Sequence, residues 1–570
     1  MYDLIIRNGI IYDGKGGSPF EADIAIEGTK IKKLGKIKEK GKEEIQAQDH
    51  IVTPGFIDIH THYDGQVTWD PLLTPSNFHG ITTAIMGNCG VGFAPCLPEK
   101  RDWLIGLMEG VEDIPGTALV EGIKWNWESF LEYMNAVESM PRAIDVGLQI
   151  PHGAVRAYVM GERAENLELA TDYDIKLMGN IVEEALKNGA MGFTTSRTFK
   201  HRDREGKHTP TFEADAAELH GIAQSISKAN KGVIQLISDF YEFDYEFNLI
   251  KGMAEISGRP LSLTIEQDDR YPDIWINVLK SIEREAKKGL KIKGQVPPRP
   301  TGVLQGLTAT LNPFLLHKTF FEIANFSLKD QVQKLQDPLF RKRLIEEEPE
   351  YFQDSDSSKL ITFLLTSYDK MFDIGDPPNY EPDPSQSIAS IAKAEGKHPK
   401  EVILDKMLQK DGNALIYFPL FNYSKGNLDD VRFMLTHENT AFGLGDAGAH
   451  CGVLCDASFP TTLLTHWTRD RTRGEKLPLE WVIMKQTKMN AEWIGLEDRG
   501  ILDVGMKADI NIIDYDNLTL SPPEITYDLP GFNKRLIQKT SGYKYTLVSG
   551  QVAFCDGKST GRMPGKLVRS

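Results

Sequence analysis

His60 and His62 stand one residue apart at the end of the apolar run Pro54-Gly55-Phe56-Ile57-Asp58-Ile59. On an extended chain the side-chain period is two, so both imidazoles project to the same side. Two neutral imidazoles at a strand end can grip one metal ion of the zinc, iron, nickel or manganese kind. The pair reads equally as two hydrogen-bonded histidines beside a turn, so other ligands must come from elsewhere in the chain. Cys89, in Gly87-Asn88-Cys89-Gly90, would be a thiolate ligand beside a metal and a small buried side chain without one. Asp446 sits in Gly443-Leu444-Gly445-Asp446-Ala447-Gly448-Ala449-His450, a setting for a catalytic carboxylate or for a turn former. Asp239 and Glu266 end two more apolar runs. They are further candidate ligands for a hard or borderline metal, or else paired ions at a rim.

Groups so far apart in sequence need a frame that gathers strand ends. Between the chain ends, strand-like runs alternate with helical ones, the pattern of βα units and a parallel sheet. The runs are Phe56–Ile59, Thr82–Met86, Ile144–Ile150, Met191–Thr195, Val233–Ile237, Leu261–Ile265, Leu290–Gly294, Ala414–Phe418 and Ala441–Leu444. Helical segments such as Tyr173–Asn188, Asp215–Asn230 and Ile274–Lys288 lie between them, the last stopped by Gly289. The expected fold class is therefore α/β, a (β/α)8 TIM-like barrel. It needs eight strands, which leaves Ala414–Phe418 as a strand outside the closed sheet. Catalytic groups in such a barrel sit at the C-terminal ends of the strands and in the loops that follow. His152, Arg197, His450 and Arg469 are candidate substrate contacts on that ground. His201 and His208 lie in a charged loop and are expected to be exposed.

Short strands also fill residues 2–56, among them Leu4–Ile6, Gly9–Tyr12, Ala22–Ile26 and Ile31–Leu34. These are too few for an independent sheet, and Ala508–Asp514 and Tyr545–Ala553 at the other end supply partners. The expected division is a small composite β-sandwich from residues 1–56 and 500–570 around a barrel spanning 57–499. A long helical and Pro-rich insertion at about 300–412 breaks the barrel's rhythm; an excursion of that length suits a lid or a homo-oligomer contact. The net charge of −16 argues against a nucleic-acid partner, because phosphate binding needs a basic face. Five cysteines make no disulfide framework, and no secretory signal or membrane-spanning run is visible, so the expectation is a cytoplasmic protein without a membrane partner.

Taken together these motifs resemble the amidohydrolase superfamily, and within it the N-acyl-D-amino-acid deacylase (D-aminoacylase) branch. The resemblance covers nearly the whole chain. It runs from Asp3-Leu4-Ile5-Ile6-Arg7-Asn8-Gly9 through the HxH motif, Gly87-Asn88-Cys89-Gly90 and Asp446 to Asn490-Ala491-Glu492, Gly500 and Gly505-Met506-Lys507-Ala508-Asp509. It implies a metal held by His60, His62, Cys89 and Asp446, with zinc as the ion and one or two ions per chain. That branch carries a histidine at the end of the fifth and of the sixth strand, where this chain has Asp239 and Glu266. Either these carboxylates replace the imidazoles or the second metal position is empty. The implied activity is metal-assisted hydrolysis of an amide C–N bond in a small molecule, foremost deacylation of an N-acyl (D-)amino acid. Asp446 would carry the proton from water to the leaving nitrogen. Arg197, Arg469 and Arg471 are candidates for the substrate carboxylate, and aromatics around Phe418 and Phe421 for the acyl chain. The alternatives are a cyclic amide hydrolase of hydantoinase, dihydroorotase or imidase type, and a non-catalytic scaffold on the same barrel. The cyclic amidases commonly use a carboxylated lysine, which no strand end here obviously offers; the intact HxH argues against a scaffold.

Overall fold

A computed structural model describes residues 1–350 and 356–570, and among these the central apolar runs become eight parallel strands in one curled sheet. They are β1 (Phe56–Asp58), β2 (Ile81–Met86), β3 (Asp145–Pro151), β4 (Gly192–Arg197), β5 (Val233–Ser238), β6 (Leu261–Thr264), β7 (Ile292–Val296) and β8 (Thr440–Phe442). Each pairs in parallel with the next in sequence. The two ends of the row meet just past β1 and β8, where Thr61 bridges to Ala447 and the His62 N–H donates to the Ala447 carbonyl at 2.8 Å. The buried Asn490 amide donates to the carbonyls of Ile57 and Phe442, at 2.9 and 3.1 Å, and ties β1 to β8. The architecture is a TIM barrel.

Strands buried on both faces read as nearly continuous apolar runs, and every residue of β2 is buried. Alternation still decides direction within each strand. On β3, Val146, Leu148 and Ile150 join the main apolar core, while Gln149 turns inward and its amide donates to Asn88 Oδ1 at 2.8 Å. Helices α1 (Arg101–Glu112), α2 (Asp172–Lys187), α3 (Ala216–Ala229), α4 (Phe243–Ser257) and α5 (Ile274–Ala286) lie between the strands in sequence. Thr171 and Asp174 close a capping box on α2. The chain leaves α5 through Gly289 at φ +95°, a conformation that suits glycine.

β7 sits two residues later than its apolar run suggested, at Ile292–Val296, which brings Gln295 to the barrel mouth. The surplus run lies outside the barrel, as expected. Ile416–Pro419 pairs antiparallel with Gly302–Gln305 and Phe372–Asp373. With helices such as Leu328–Gln336, Pro338–Glu346 and Pro399–Met407 it surrounds an apolar cluster including Phe314, Leu344, Ile403 and Phe418, inserted between β7 and β8.

The chain ends meet in a nine-stranded sheet, where Ile510–Ile513 pairs with Ile51–Pro54. Leu4–Ile6 and Gly9–Tyr12 do not form two strands. They merge into Tyr2–Ile11, with a register shift between Ile6 and Gly9. The run expected over 545–553 is instead a hairpin of Tyr543–Val548 and Gln551–Cys555, because Gly550 turns at φ +75°. Arg499 joins this sheet to the barrel: its Nη1 donates to Asp145 Oδ2 at 2.5 Å and to Thr83 Oγ1 at 2.9 Å. Lys507 lies 2.9 Å from the same Asp145 and 2.5 Å from Asp509. No helix among the described residues is long and apolar enough to cross a membrane.

Candidate metal centre

The loops that leave β1, β2 and β8 converge on one point. β1 ends at Asp58, so His60 and His62 lie beyond it, flanking the bridged Thr61; the pairing of Thr61 preserves the alternation that sends both rings to one side. Behind β2, Gly87 at φ +84° and Cys89 at φ +55° fold a tight turn that aims the thiol back at His60. Cys89 Sγ lies 3.3 Å from His60 Nε2, and the ligand atoms of His60, His62 and Cys89 all fall within 4.8 Å of one another. Asp446 Oδ1 arrives after β8, 3.3 Å from His60 Nε2 and 3.6 Å from His62 Nε2. Leu444, Asp446 and His450 all take positive φ, so this loop is strained where it meets the site.

These residues fit a metal ion. Ligand bonds of about 2.0–2.3 Å in a tetrahedron put neighbouring ligand atoms roughly 3.3–3.8 Å apart, the range of the three distances above. Asp446 Oδ1 is buried and accepts no hydrogen bond, an unmet acceptor that a cation would satisfy. The outer nitrogens of both rings face oxygens. His60 Nδ1 lies 2.7 Å from Gln295 Oε1, which can only accept, so Nδ1 carries the proton and Nε2 keeps its lone pair. His62 Nδ1 lies 3.3 Å from Glu112 Oε1, giving a carboxylate–imidazole arrangement on the second ring.

Burial drives the electrostatics. It pulls the His60 imidazole down to about 4 and pushes the Cys89 thiol up to about 12, with His62 opposing the latter. Burial would lower His62 too, but Glu112, Asp446 and Cys89 outweigh it and hold that ring well above its ordinary value. Asp446 shows the same contest: burial raises its carboxyl, yet His60, His62 and His450 hold it below the usual carboxylate range. The site thus keeps one ionised carboxylate and one readily protonated imidazole side by side.

The remaining sequence-derived candidates divide. His450 is at the site, its Nε2 3.6 Å from Glu112 Oε2. Asp239, Glu266 and Asp446 all lie outside the His60–His62–Cys89 group, but Asp446 stands against its two imidazoles. Asp239 accepts from Thr198 Oγ1 and the Phe199 N–H, both at 2.7 Å, and Glu266 accepts from Thr301 Oγ1 at 2.7 Å. Both line a separate aromatic-walled pocket with Lys200, Tyr241, Tyr271 and Phe421. His152 is fully buried, with its two ring nitrogens hydrogen-bonded to Thr195 Oγ1 and Glu218 Oε1. Arg197 is committed to both oxygens of Glu246, at 2.8 and 2.6 Å. Arg469 binds Asp470 and carbonyls near Tyr515; Arg471 is buried on Glu381 and Asp429. Phe418 is inside the insertion's core, whereas Phe421 lines the pocket.

His201 and His208 are half-buried rather than exposed. His201 Nδ1 meets Ser196 Oγ at 2.8 Å, and His208 stacks on Phe212 with ring centroids 4.0 Å apart. Three important neighbours had no motif to announce them. Glu112 follows Ile105 by seven residues and Met108 by four, so it lies on the apolar stripe of α1, where a carboxylate is out of place. Gln235 on β5 and Gln295 on β7 are inward-facing amides, and Gln235 Oε1 accepts the Cys89 N–H at 2.9 Å.

The amidohydrolase family (Amidohydro_3) matches residues 43–344 and 413–554, and the unmatched stretch between them lies within the insertion. An uncharacterised protein of Mycobacterium tuberculosis is 25% identical, with 98% of this chain and 93% of that protein aligned. An N-acyl-D-glutamate deacylase of Alcaligenes xylosoxydans xylosoxydans is also 25% identical, over 100% of this chain and 96% of its own length. Among solved structures, a D-aminoacylase described as having a binuclear metal centre superposes with a TM-score of 0.65 at 20% identity, covering 100% of both chains. At that identity the likeness concerns the fold.

Proposed function

The chain belongs to the amidohydrolase family, and on that premise we propose that it deacylates an N-acyl (D-)amino acid, with His60, His62, Cys89 and Asp446 holding a zinc ion. The observation that carries this reading is the gathering of two imidazoles and a thiol within 4.8 Å of one another at the barrel mouth, with a buried, unpartnered oxygen of Asp446 3.3 Å from one of the imidazoles. Nitrogen and sulfur ligands of this kind suit zinc. When bound, such an ion supplies Lewis-acid polarisation of a carbonyl and makes water more acidic.

The rest falls to the chain's own residues. Asp446 is held ionised by its histidine neighbours, so it can accept a proton from the attacking water at neutral pH. It can then return that proton to the departing nitrogen, which would otherwise leave as an unstable amide anion. Gln295 holds the His60 imidazole with its Nε2 facing the site, and the Glu112 carboxylate 3.3 Å from His62 Nδ1 biases the second ring electrostatically. His450, beside Glu112, offers a further imidazole at the mouth.

A panel of N-acyl D- and L-amino acids and cyclic amides, offered to the zinc-loaded protein and to His60→Ala, tests the proposal. The expected result is release of free amino acid from N-acyl substrates by the wild type, with both zinc and turnover lost in the variant. Unchanged zinc content in His60→Ala would mean the metal is held elsewhere. Preferential opening of cyclic amides would transfer the protein to the cyclic amidases.

A further inference from the structure

Lys200 occupies an unusual position. The turn that carries it is wrapped around the Asp239 carboxylate, which accepts from Thr198 Oγ1 and from the Phe199 N–H. The Lys200 N–H in turn donates to Thr198 Oγ1 at 3.2 Å. The side chain is then led over the ring of Phe421, with Nζ 4.4 Å from its centroid, and comes within 3.9 Å of Asp239 Oδ1. Its charge favours the ionised forms of Glu266 and Asp268, and Glu266 also senses Asp446. The ammonium therefore stands among the carboxylates Asp239, Glu266 and Asp268 of the pocket at the ends of β5 and β6.

We infer that Lys200 is a built-in cation at this position, so that the chain holds a single metal ion, at the His60–His62–Cys89–Asp446 cluster. Three observations carry the inference. The carboxylates that could have bound a second ion are already engaged: both oxygens of Asp239 serve the Lys200 turn, and one oxygen of Glu266 serves Thr301. The inward residue of β5 is Gln235, whose amide oxygen is taken by the Cys89 N–H, and an amide is a far weaker zinc ligand than an imidazole. Finally, a divalent ion placed between Asp239 and Glu266 would face an ammonium at close range, and like charges in a partly desolvated pocket repel strongly. An ammonium, by contrast, neutralises the carboxylates without demanding coordination geometry.

The inference rests on the His60 cluster being the metal centre, and metal counting separates the two failures. The full-length protein is stripped with chelator, reloaded with excess zinc sulfate, freed of unbound metal and assayed by elemental analysis. One zinc per chain is expected for the wild type and for Lys200→Arg, which keeps the charge, and none for His60→Ala. Lys200→Met, of similar length without charge, is expected to take up a second and weaker zinc as its concentration rises. Adding Glu266→Gln to Lys200→Met should return the count to one, with far-ultraviolet circular dichroism confirming that each variant is folded. Two zinc ions in the wild type, or a Lys200→Met protein that stays at one, would overturn the role given to Lys200. No zinc in the wild type would overturn the metal centre itself.

Discussion

At the scale of single residues, the site depends on which nitrogen of each histidine is left free. Gln295 decides this for His60 through a hydrogen bond at 2.7 Å, whereas Glu112, 3.3 Å from His62 Nδ1 without hydrogen-bonding it, acts on His62 through its charge. Outer partners of metal-binding histidines typically matter by 10–100-fold in affinity. Glu112→Gln should therefore weaken zinc binding by roughly that factor while leaving the fold intact, as read by competition with a chromophoric chelator. The same groups set a pH dependence. Without metal, His62 is held well above its ordinary value and the Cys89 thiol lies at about 12, so both carry protons near neutrality. Zinc must displace them, and its affinity should rise with pH. Each proton released implies about a hundredfold gain in affinity between pH 6 and pH 8. Zinc titrations in buffers of different ionisation enthalpy count those protons; a flat profile would mean that neither group is a ligand.

At the scale of elements, the turns matter more than the strands. The Gly87 turn directs Cys89 to His60, and it can do so only because residue 87 has no side chain. Its φ is +84°, and a Cβ there would meet the Gln149 carbonyl oxygen at 2.2 Å. Gly289 at the end of α5 is also left-handed, at φ +95°, but a Cβ there meets nothing within 4 Å. The two glycines make a matched pair. Gly289→Ala should cost only the backbone strain, about 1–2 kcal/mol, and leave zinc content unchanged. Gly87→Ala should cost more and also lower zinc content, because the backbone of β3 has no room to yield. Thermal unfolding and elemental analysis of both variants check this.

At the scale of the whole molecule, the barrel and the sheet of chain ends share a buried charged joint. Arg499 and Lys507, from the C-terminal segment, meet Asp145 on β3 and together hold its carboxyl below the ordinary range despite burial. Removing one partner of a buried pair leaves an uncompensated charge and costs about 3–5 kcal/mol. Arg499→Leu should fall near the lower end, since Lys507 still faces Asp145 at 2.9 Å. Chemical denaturation should register that loss, whereas Lys539→Ala, which breaks an exposed pair with Glu524, should change stability by less than about 1 kcal/mol. The insertion between β7 and β8 has its own apolar cluster, which explains how so long an excursion coexists with an unbroken barrel.

By itself the sequence determined the periodic and local features: eight barrel strands from their apolar runs, the surplus strand outside them, the helices between them, and the spacing that makes His60 and His62 neighbours in space. These rest on contacts within a few residues, or on motifs that carry their geometry with them. Tertiary structure decided what touches what. Gln295 reaches His60 across 235 positions, and Glu112 turns to His62 because α1 presents that face to the barrel mouth. Arg197 and Arg471 looked free for a substrate in sequence because their partners Glu246 and Glu381, 49 and 90 positions away, carry no sign of the pairing, and Arg469, beside Asp470, is also tied to the distant Leu518 carbonyl. A side chain's charge is written in the sequence, but whether that charge is already spent depends on long-range packing. Only the fold shows Asp446 with an oxygen to spare and Lys200 directed toward the carboxylates beside it.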